Sequence, residues 1–122
     1  MGGKTEATTV LVVDDDDSMR LLCRVNLELE GHHVLEAQSI KAAQELLARE
    51  PVKVVLLDVH VGADDGRTLL KELRATRPEI AVAFLTGTAD IEELARVDAD
   101  GVLGKPFTLT DLSSLVQRLA AR

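Results

Sequence analysis

The chain has 122 residues, 46% hydrophobic and 29% charged, with a formal net charge of −7 at pH 7. This composition fits one soluble globular domain and excludes a disordered chain, and the negative charge argues against nucleic-acid binding, which needs a basic face. With one cysteine and no apolar run near the roughly 20 residues of a membrane span, we expect a cytoplasmic protein that meets a cation or a basic partner.

The first quarter of the chain predicts a strand followed by a helix. Residues 1–9 are expected to form a loose lead-in to a single domain over residues 10–122. Residues 10–13 are an apolar run, typical of a buried strand, that stops at four consecutive aspartates. Residues 17–30 follow a helical period, which Asp17 or Ser18 can cap and Gly31 can end. The apolar positions of this helix share one face: Leu22, Val25 and Leu29.

The middle of the chain repeats the alternation of strand and helix. Residues 34–37 predict a short strand, and Ser39 can cap a second helix that ends before Pro51. Residues 52–57 carry the strongest strand signal and end at Asp58, and residues 59–65 predict a loop. A third helix is predicted over residues 66–76. The inward positions of these two helices are Ala43, Leu46, Leu47, Leu69, Leu70 and Leu73.

The last third of the chain adds two strands and two helices. Strands are predicted over residues 80–85 and 101–104, and helices over residues 89–96 and 108–121. Five strands thus alternate with five helices, which predicts an α/β fold with a parallel sheet between two layers of helices, a doubly wound three-layer sandwich. In such sheets, ligands bind beyond the carboxyl ends of the strands, where the winding reverses.

Polar side chains follow the predicted strands at that edge. Asp14 and Asp15 follow the first strand, Asp58 the third, Thr86 the fourth and Lys105 the fifth. Because the carboxyl ends of parallel strands share one edge, we expect these residues to converge.

Clustered aspartates at this edge indicate a magnesium site for phosphoryl chemistry. Three neighbouring carboxylates repel one another, and a hard divalent cation with oxygen ligands removes that repulsion. An aspartate can itself attack phosphorus to form an aspartyl phosphate. Lys105 can pair with Asp58 at rest and with a phosphoryl oxygen afterwards, and the Thr86 hydroxyl can bond another oxygen.

With these residues at the ends of these predicted strands, the sequence resembles response-regulator receiver domains of two-component signalling, from about residue 10 to residue 120. The matching motifs are specific only in combination and in this order. They are VLVVDD at 10–15, LLD at 56–58, DG at 65–66, LTG at 85–87 and KPF at 105–107. The resemblance implies a flavodoxin-like (βα)5 fold with strand order 2-1-3-4-5.

The resemblance also implies a role for each matching residue. Asp58 is the expected phosphoacceptor and Asp15 a direct ligand of Mg²⁺. Asp14 is expected to act largely through water, and the backbone carbonyl of His60 to complete the metal site. The expected roles of the remaining residues are switch hydroxyl for Thr86, phosphate-binding lysine for Lys105, space for the phosphodonor at Gly87, and a cis peptide before Pro106.

Three features depart from the family pattern. Val61–Gly62 replaces the usual Met-Pro after the acceptor, which predicts a more mobile loop. Val102 stands where an aromatic switch residue is usual, and the stretch between Thr86 and Lys105 is short for the family. His60 and Thr88, each two residues beyond a site residue, are expected to tune hydrolysis of the phosphoryl group.

The expected function is to accept a phosphoryl group from a sensor histidine kinase or a histidine phosphotransfer protein. Phosphorylation is then expected to switch the face formed by the fourth helix, fifth strand and fifth helix, which signals to an output domain or effector. The chain is expected to catalyse only its own phosphorylation and dephosphorylation, and to bind neither nucleic acid nor membrane. It can be a stand-alone receiver or part of a longer regulator or hybrid kinase.

Two alternatives stay open. A pseudo-receiver would keep the fold as an interaction module but take no phosphate, which the full set of site residues disfavours. A phosphatase of the haloacid-dehalogenase type also combines strand-end Asp, Thr or Ser, and Lys with Mg²⁺, and residues 14–16 contain its Asp-x-Asp. Its nucleophile would lie on the first strand, however, and its later acidic pair is missing here.

Overall fold

A five-stranded parallel sheet forms the centre of the protein in a computed structural model that describes residues 8–87, 91–94 and 97–122. The strands are β1 (Thr9–Val13), β2 (His33–Ala37), β3 (Val54–Leu57), β4 (His60–Val61), β5 (Asp64–Asp65), β6 (Ala81–Gly87) and β7 (Gly101–Lys105). The sheet has the order β2-β1-β3-β6-β7, and β4 and β5 form a separate antiparallel pair. The predicted order 2-1-3-4-5 is therefore confirmed for the five strands of the sheet.

Helices cover both faces of the sheet. They are α1 (Asp17–Leu29), α2 (Ile40–Arg49), α3 (Arg67–Thr76), α4 (Ile91–Leu94) and α5 (Leu109–Ala120). One buried cluster joins the sheet to α1 and α5, and a second joins its other face to α2, α3 and α4. Burial on both faces explains why the strands are continuous apolar runs and do not alternate with polar residues.

The cap of α1 is Asp16, not Asp17 or Ser18 as predicted. The Asp16 carboxylate accepts hydrogen bonds from the backbone N–H groups of Ser18 and Met19 at 2.9 and 3.4 Å. At the other end of the helix, Gly31 adopts a φ of +94°, which a glycine reaches without the strain of a side chain. Asp16, the third of the four consecutive aspartates, is thus explained by its role as the N-cap of α1.

The apolar face that the sequence shows on α1 is not its buried face. Leu22, Val25 and Leu29 are exposed, whereas Cys23 and Leu27 pack against the sheet. Burial, with a contribution from the charge of Asp14, raises the pKa of the Cys23 thiol to about 11. Cys23 therefore stays protonated near neutral pH and packs as a small apolar group.

Smaller differences concern the ends of elements. β3 begins at Val54, two residues later than predicted, and Thr9 of the expected lead-in already belongs to β1. His32, just after α1, is buried, and its backbone N–H donates to the Leu27 carbonyl at 3.1 Å. Residues 1–7 of the lead-in, and residues 89–90 and 95–96 of the predicted fourth helix, lie outside the described residues.

Gly66 lets α3 begin directly against the end of β3. A Cβ at position 66 would lie 2.2 Å from the backbone oxygen of Asp58, whereas a Cβ at Gly87 would meet no atom within 4 Å. We expect G66A to lower the free energy of unfolding by about 1–3 kcal/mol through overpacking, and G87A to leave it near the wild-type value. Chemical denaturation measures both, and equal stabilities of the two variants would contradict this packing.

Candidate functional site

Three carboxylates converge at the carboxyl edge of the sheet. Asp14 and Asp15 follow β1, and Asp58 follows β3, its neighbour in the sheet. One carboxylate oxygen of each residue lies within 4.8 Å of the others. The winding of the sheet reverses between these two strands, which is where ligands bind in this architecture.

The three aspartates differ in burial and in what holds them. Asp14 is 2% exposed, Asp58 is partly buried and Asp15 is exposed. The oxygens of Asp14 accept from the Asp16 N–H and from Lys105, both at 2.9 Å. Asp15 accepts a hydrogen bond at 3.1 Å from the backbone N–H of Gly62. The pocket thus has a fixed inner carboxylate and an outer one that faces solvent.

Lys105, at the end of β7, bridges two of the carboxylates. Its Nζ lies 2.9 Å from Asp14 Oδ2 and 3.5 Å from Asp58 Oδ2. Burial alone would lower the pKa of Lys105, but its hydrogen bond to Asp14 and the charges of both aspartates raise it. The predicted pairing with Asp58 is present, although the shorter contact is to Asp14, the more buried charge.

Asp58 is the carboxylate whose charge the pocket disfavours. Burial raises the pKa of Asp58 above its usual value, and the neighbouring charge of Asp14 raises it further. Lys105 and a hydrogen bond from the His60 backbone act in the opposite direction without cancelling the effect. A further positive charge at this position would therefore favour the ionised form of Asp58.

The donor set fits a divalent metal ion. Three carboxylates and one ammonium group leave two net negative charges, which one divalent cation balances. Ligands that share Mg²⁺ at its ~2.1 Å bond length lie roughly 3–4 Å apart, and the three carboxylate oxygens lie within 4.8 Å of one another, which places them in reach of one ion. Mg²⁺ also prefers carboxylate oxygens with retained waters over an all-protein cage.

The remaining predicted site residues lie at or near the same edge. Thr86 is 1% exposed near the end of β6, and Gly87 pairs in register with Lys105. The peptide between Lys105 and Pro106 is cis. His60 lies in β4, in the loop that follows Asp58, whereas Thr88 lies outside the described residues.

The departures from the family pattern have visible structural counterparts. The loop with Val61 and Gly62 closes as the β4–β5 hairpin, in which Gly62 has a φ of +63°. Val102 is partly buried and faces Phe84 in the register of β6 and β7. Val61 lies in the hydrophobic core and Val102 packs against it, and the Gly62 N–H donates to Asp15.

Sequence reasoning missed two contacts to the acidic pair. One is the Gly62 N–H on Asp15, which depends on a turn with positive φ. The other is Arg20, whose guanidinium donates to the backbone carbonyl of Asp14 at 2.6 Å and also pairs with Glu36. Glu36 inside the predicted strand 34–37 was the available signal for a basic partner such as Arg20, since a strand covered by helices has little room for an unpaired charge.

Comparison with known proteins establishes the family. The family model described as response regulator receiver domain matches residues 10–117. The chain belongs to this family and is a receiver domain of two-component signalling. It is 36% identical over 118 residues to the sensor kinase CckA of Brucella abortus, and 37% identical over 121 residues to the transcriptional regulatory protein AruR of Pseudomonas aeruginosa.

Coverage differs between sequence relatives and solved structures. Each of these two alignments covers 93% of this chain but only 12% of the kinase and 49% of the regulator. The receiver domain of NtrX from Brucella abortus superposes with a TM-score of 0.86 at 29% identity, covering 92% of this chain and 98% of that one. Among the residues that the structure describes, no helix is long and apolar enough for a bilayer crossing.

The raised pKa of Asp58 makes a prediction about stability and pH. The folded state favours protonated Asp58, so its ionisation destabilises the fold as the pH rises through the folded-state pKa. We expect D58N to melt at a higher temperature than the wild type at pH 7 in a chelator, and the gain to shrink toward about pH 4.

Asp65 supplies a control of opposite sign. Its hydrogen bonds from Arg67 lower the pKa of Asp65, so its stabilising effect is present at neutral pH and is lost as the pH falls through the lowered folded-state value. D65N should therefore melt below the wild type at pH 7. Thermal unfolding across this pH range tests both variants, and a lower melting temperature for D58N at pH 7 would contradict the electrostatic account.

Proposed function

We propose that Asp58 accepts a phosphoryl group in a reaction that requires one Mg²⁺ held by Asp14, Asp15, Asp58 and the backbone carbonyl of His60. The supporting observation is the cluster of three carboxylates with Lys105 between two of them. This arrangement combines a nucleophile, a divalent-cation site and a fixed positive charge at one strand edge.

The residues of the chain divide the chemistry between them. When bound, Mg²⁺ neutralises the carboxylates and polarises the phosphoryl oxygens. An Asp58 oxygen attacks phosphorus in line, and the phosphorus–nitrogen bond of a phosphohistidine breaks with its electron pair returning to the imidazole. Lys105 then transfers its contact from Asp58 to a phosphoryl oxygen, and the Thr86 hydroxyl donates to another.

The proposed output is a change on the face formed by α4, β7 and α5. Thr86 pairs with Gly104 in the β6–β7 register, so a shift of Thr86 toward the phosphoryl group moves the neighbouring strand. With Val102 at the usual aromatic position, this strand pair is the route that we propose for the signal. Hydrolysis of the aspartyl phosphate resets the domain.

The proposed phosphodonor is a protein, a sensor histidine kinase or a histidine phosphotransfer protein in the cytoplasm. α1 begins directly beside the acidic pocket and exposes a run of apolar side chains, which is typical of protein contacts. These are Leu21, Leu22, Val25 and Leu29. The match to part of a sensor kinase also supports a place in a phosphorelay, with an output domain or effector beyond the receiver.

Phosphorylation with a small donor tests the proposal. Incubation with acetyl phosphate and Mg²⁺ should add one phosphoryl group, seen by intact-mass spectrometry, because Asp58 is the proposed nucleophile and Lys105 already contacts its carboxylate at 3.5 Å. D58N should remain unlabelled, and omission of Mg²⁺ should suppress labelling of the wild type.

Control reactions separate the alternatives. D65N, altered in the same loop but outside the carboxylate cluster, should label like the wild type. Absence of labelling in the wild type with excess Mg²⁺ would support a pseudo-receiver. Sustained turnover of a small phosphate ester that survives in D58N would support a phosphatase with its nucleophile on β1.

A further inference from the structure

Arg20 reaches from α1 back to the main chain of the acidic pair. Its side chain is 11% exposed, and its Nη1 donates to the backbone carbonyl of Asp14 at 2.6 Å. This carbonyl belongs to the peptide that joins Asp14 to Asp15. Arg20 therefore touches the unit that carries two of the three carboxylates without touching the carboxylates themselves.

Two acidic groups hold Arg20 in this position. Its Nε donates to Glu36 on β2 at 3.2 Å, and its other terminal nitrogen pairs with Asp17 in the first turn of α1. Glu36 lies in register with Val12 of β1, so it is fixed by the sheet. A planar guanidinium can satisfy several acceptors at once in a fixed fork, which a lysine ammonium does not reproduce.

The sheet fixes the main chain just before the Asp14–Asp15 peptide. The Asp14 N–H donates to the Ala37 carbonyl at 3.1 Å, which holds the start of this residue against β2. Arg20 holds its other end through the carbonyl. If that bond is lost, the Asp14–Asp15 peptide can rotate, and rotation changes where the Asp15 carboxylate points.

We propose that Arg20 is a positioning residue for the metal site, which holds the Asp14–Asp15 peptide so that both carboxylates face the ion together with Asp58. This inference rests on the proposed function, since it assumes that the cluster binds Mg²⁺. Residues that orient metal ligands typically change metal affinity 10- to 100-fold when they are replaced.

Electrostatics alone predicts the opposite effect. A positive charge beside a cation site weakens cation binding, so removal of Arg20 by charge alone would tighten Mg²⁺ binding. Arg24 provides the matched control, because it forms an ion pair at 2.8 Å with the same Glu36 and its other ion pair is with Glu28. R24M removes the same charge from the same carboxylate and keeps the Arg20 bond to Asp14.

The experiment compares R20M with R24M in the full chain. Mg²⁺ affinity is measured by calorimetry, and the backbone amide of Asp15 is followed by ¹⁵N NMR without metal. We expect R20M to bind Mg²⁺ about tenfold more weakly than R24M, and the Asp15 amide to shift in R20M alone, since its peptide loses the carbonyl bond. Equal affinities, or tighter binding by R20M, would overturn the proposal.

A second pair keeps the test decisive if R20M does not fold. R20K and R24K retain the positive charge but replace the planar guanidinium with an ammonium group, and thermal unfolding verifies that both are folded. R20K should bind Mg²⁺ several-fold more weakly than R24K, and equal affinities would contradict the positioning role. If the wild type itself neither binds Mg²⁺ nor takes phosphate from acetyl phosphate, the proposed function fails; if it does both, only the role of Arg20 is at stake.

Discussion

The Lys105 ammonium lies between Asp14 and Asp58, 2.9 and 3.5 Å from one carboxylate oxygen of each. Without this charge, two partly or fully buried carboxylates would face each other in a medium that screens poorly, and at least one would take up a proton. With it, three carboxylates and one ammonium group still leave the pocket with net negative charge. The raised pKa of Asp58 shows that the compensation is incomplete.

The parallel sheet is what brings these charges together. β1, β3 and β7 are far apart in sequence, but their carboxyl ends lie at one edge. Aspartates directly follow β1 and β3, and β7 ends at Lys105. Supporting contacts then set the details. Gly66 allows α3 to begin against the Asp58 backbone, and Arg20 and Gly62 bond the two residues that follow β1.

The sequence predicted the elements and the convergence at the strand ends because both follow from local periodicity and from one rule of parallel sheets. It did not predict the buried face of α1, since a helical period shows that apolar residues share a side but not which side meets the sheet. The contacts of Arg20 and Gly62 were also missed. One depends on the reach of a long side chain across three elements, and the other on a turn with positive φ that replaces the family's usual Met-Pro.

Paramagnetic NMR with Mn²⁺, which shares the oxygen ligands of Mg²⁺, tests most directly whether the three carboxylates form one metal site. For a single shared site, we expect the first amide signals to broaden to be those of Asp14, Asp15, Asp58 and the residues beside them, and excess Mg²⁺ to restore these signals. First broadening at another acidic position, such as Asp64 or Asp98, or no recovery with Mg²⁺, would contradict a shared site.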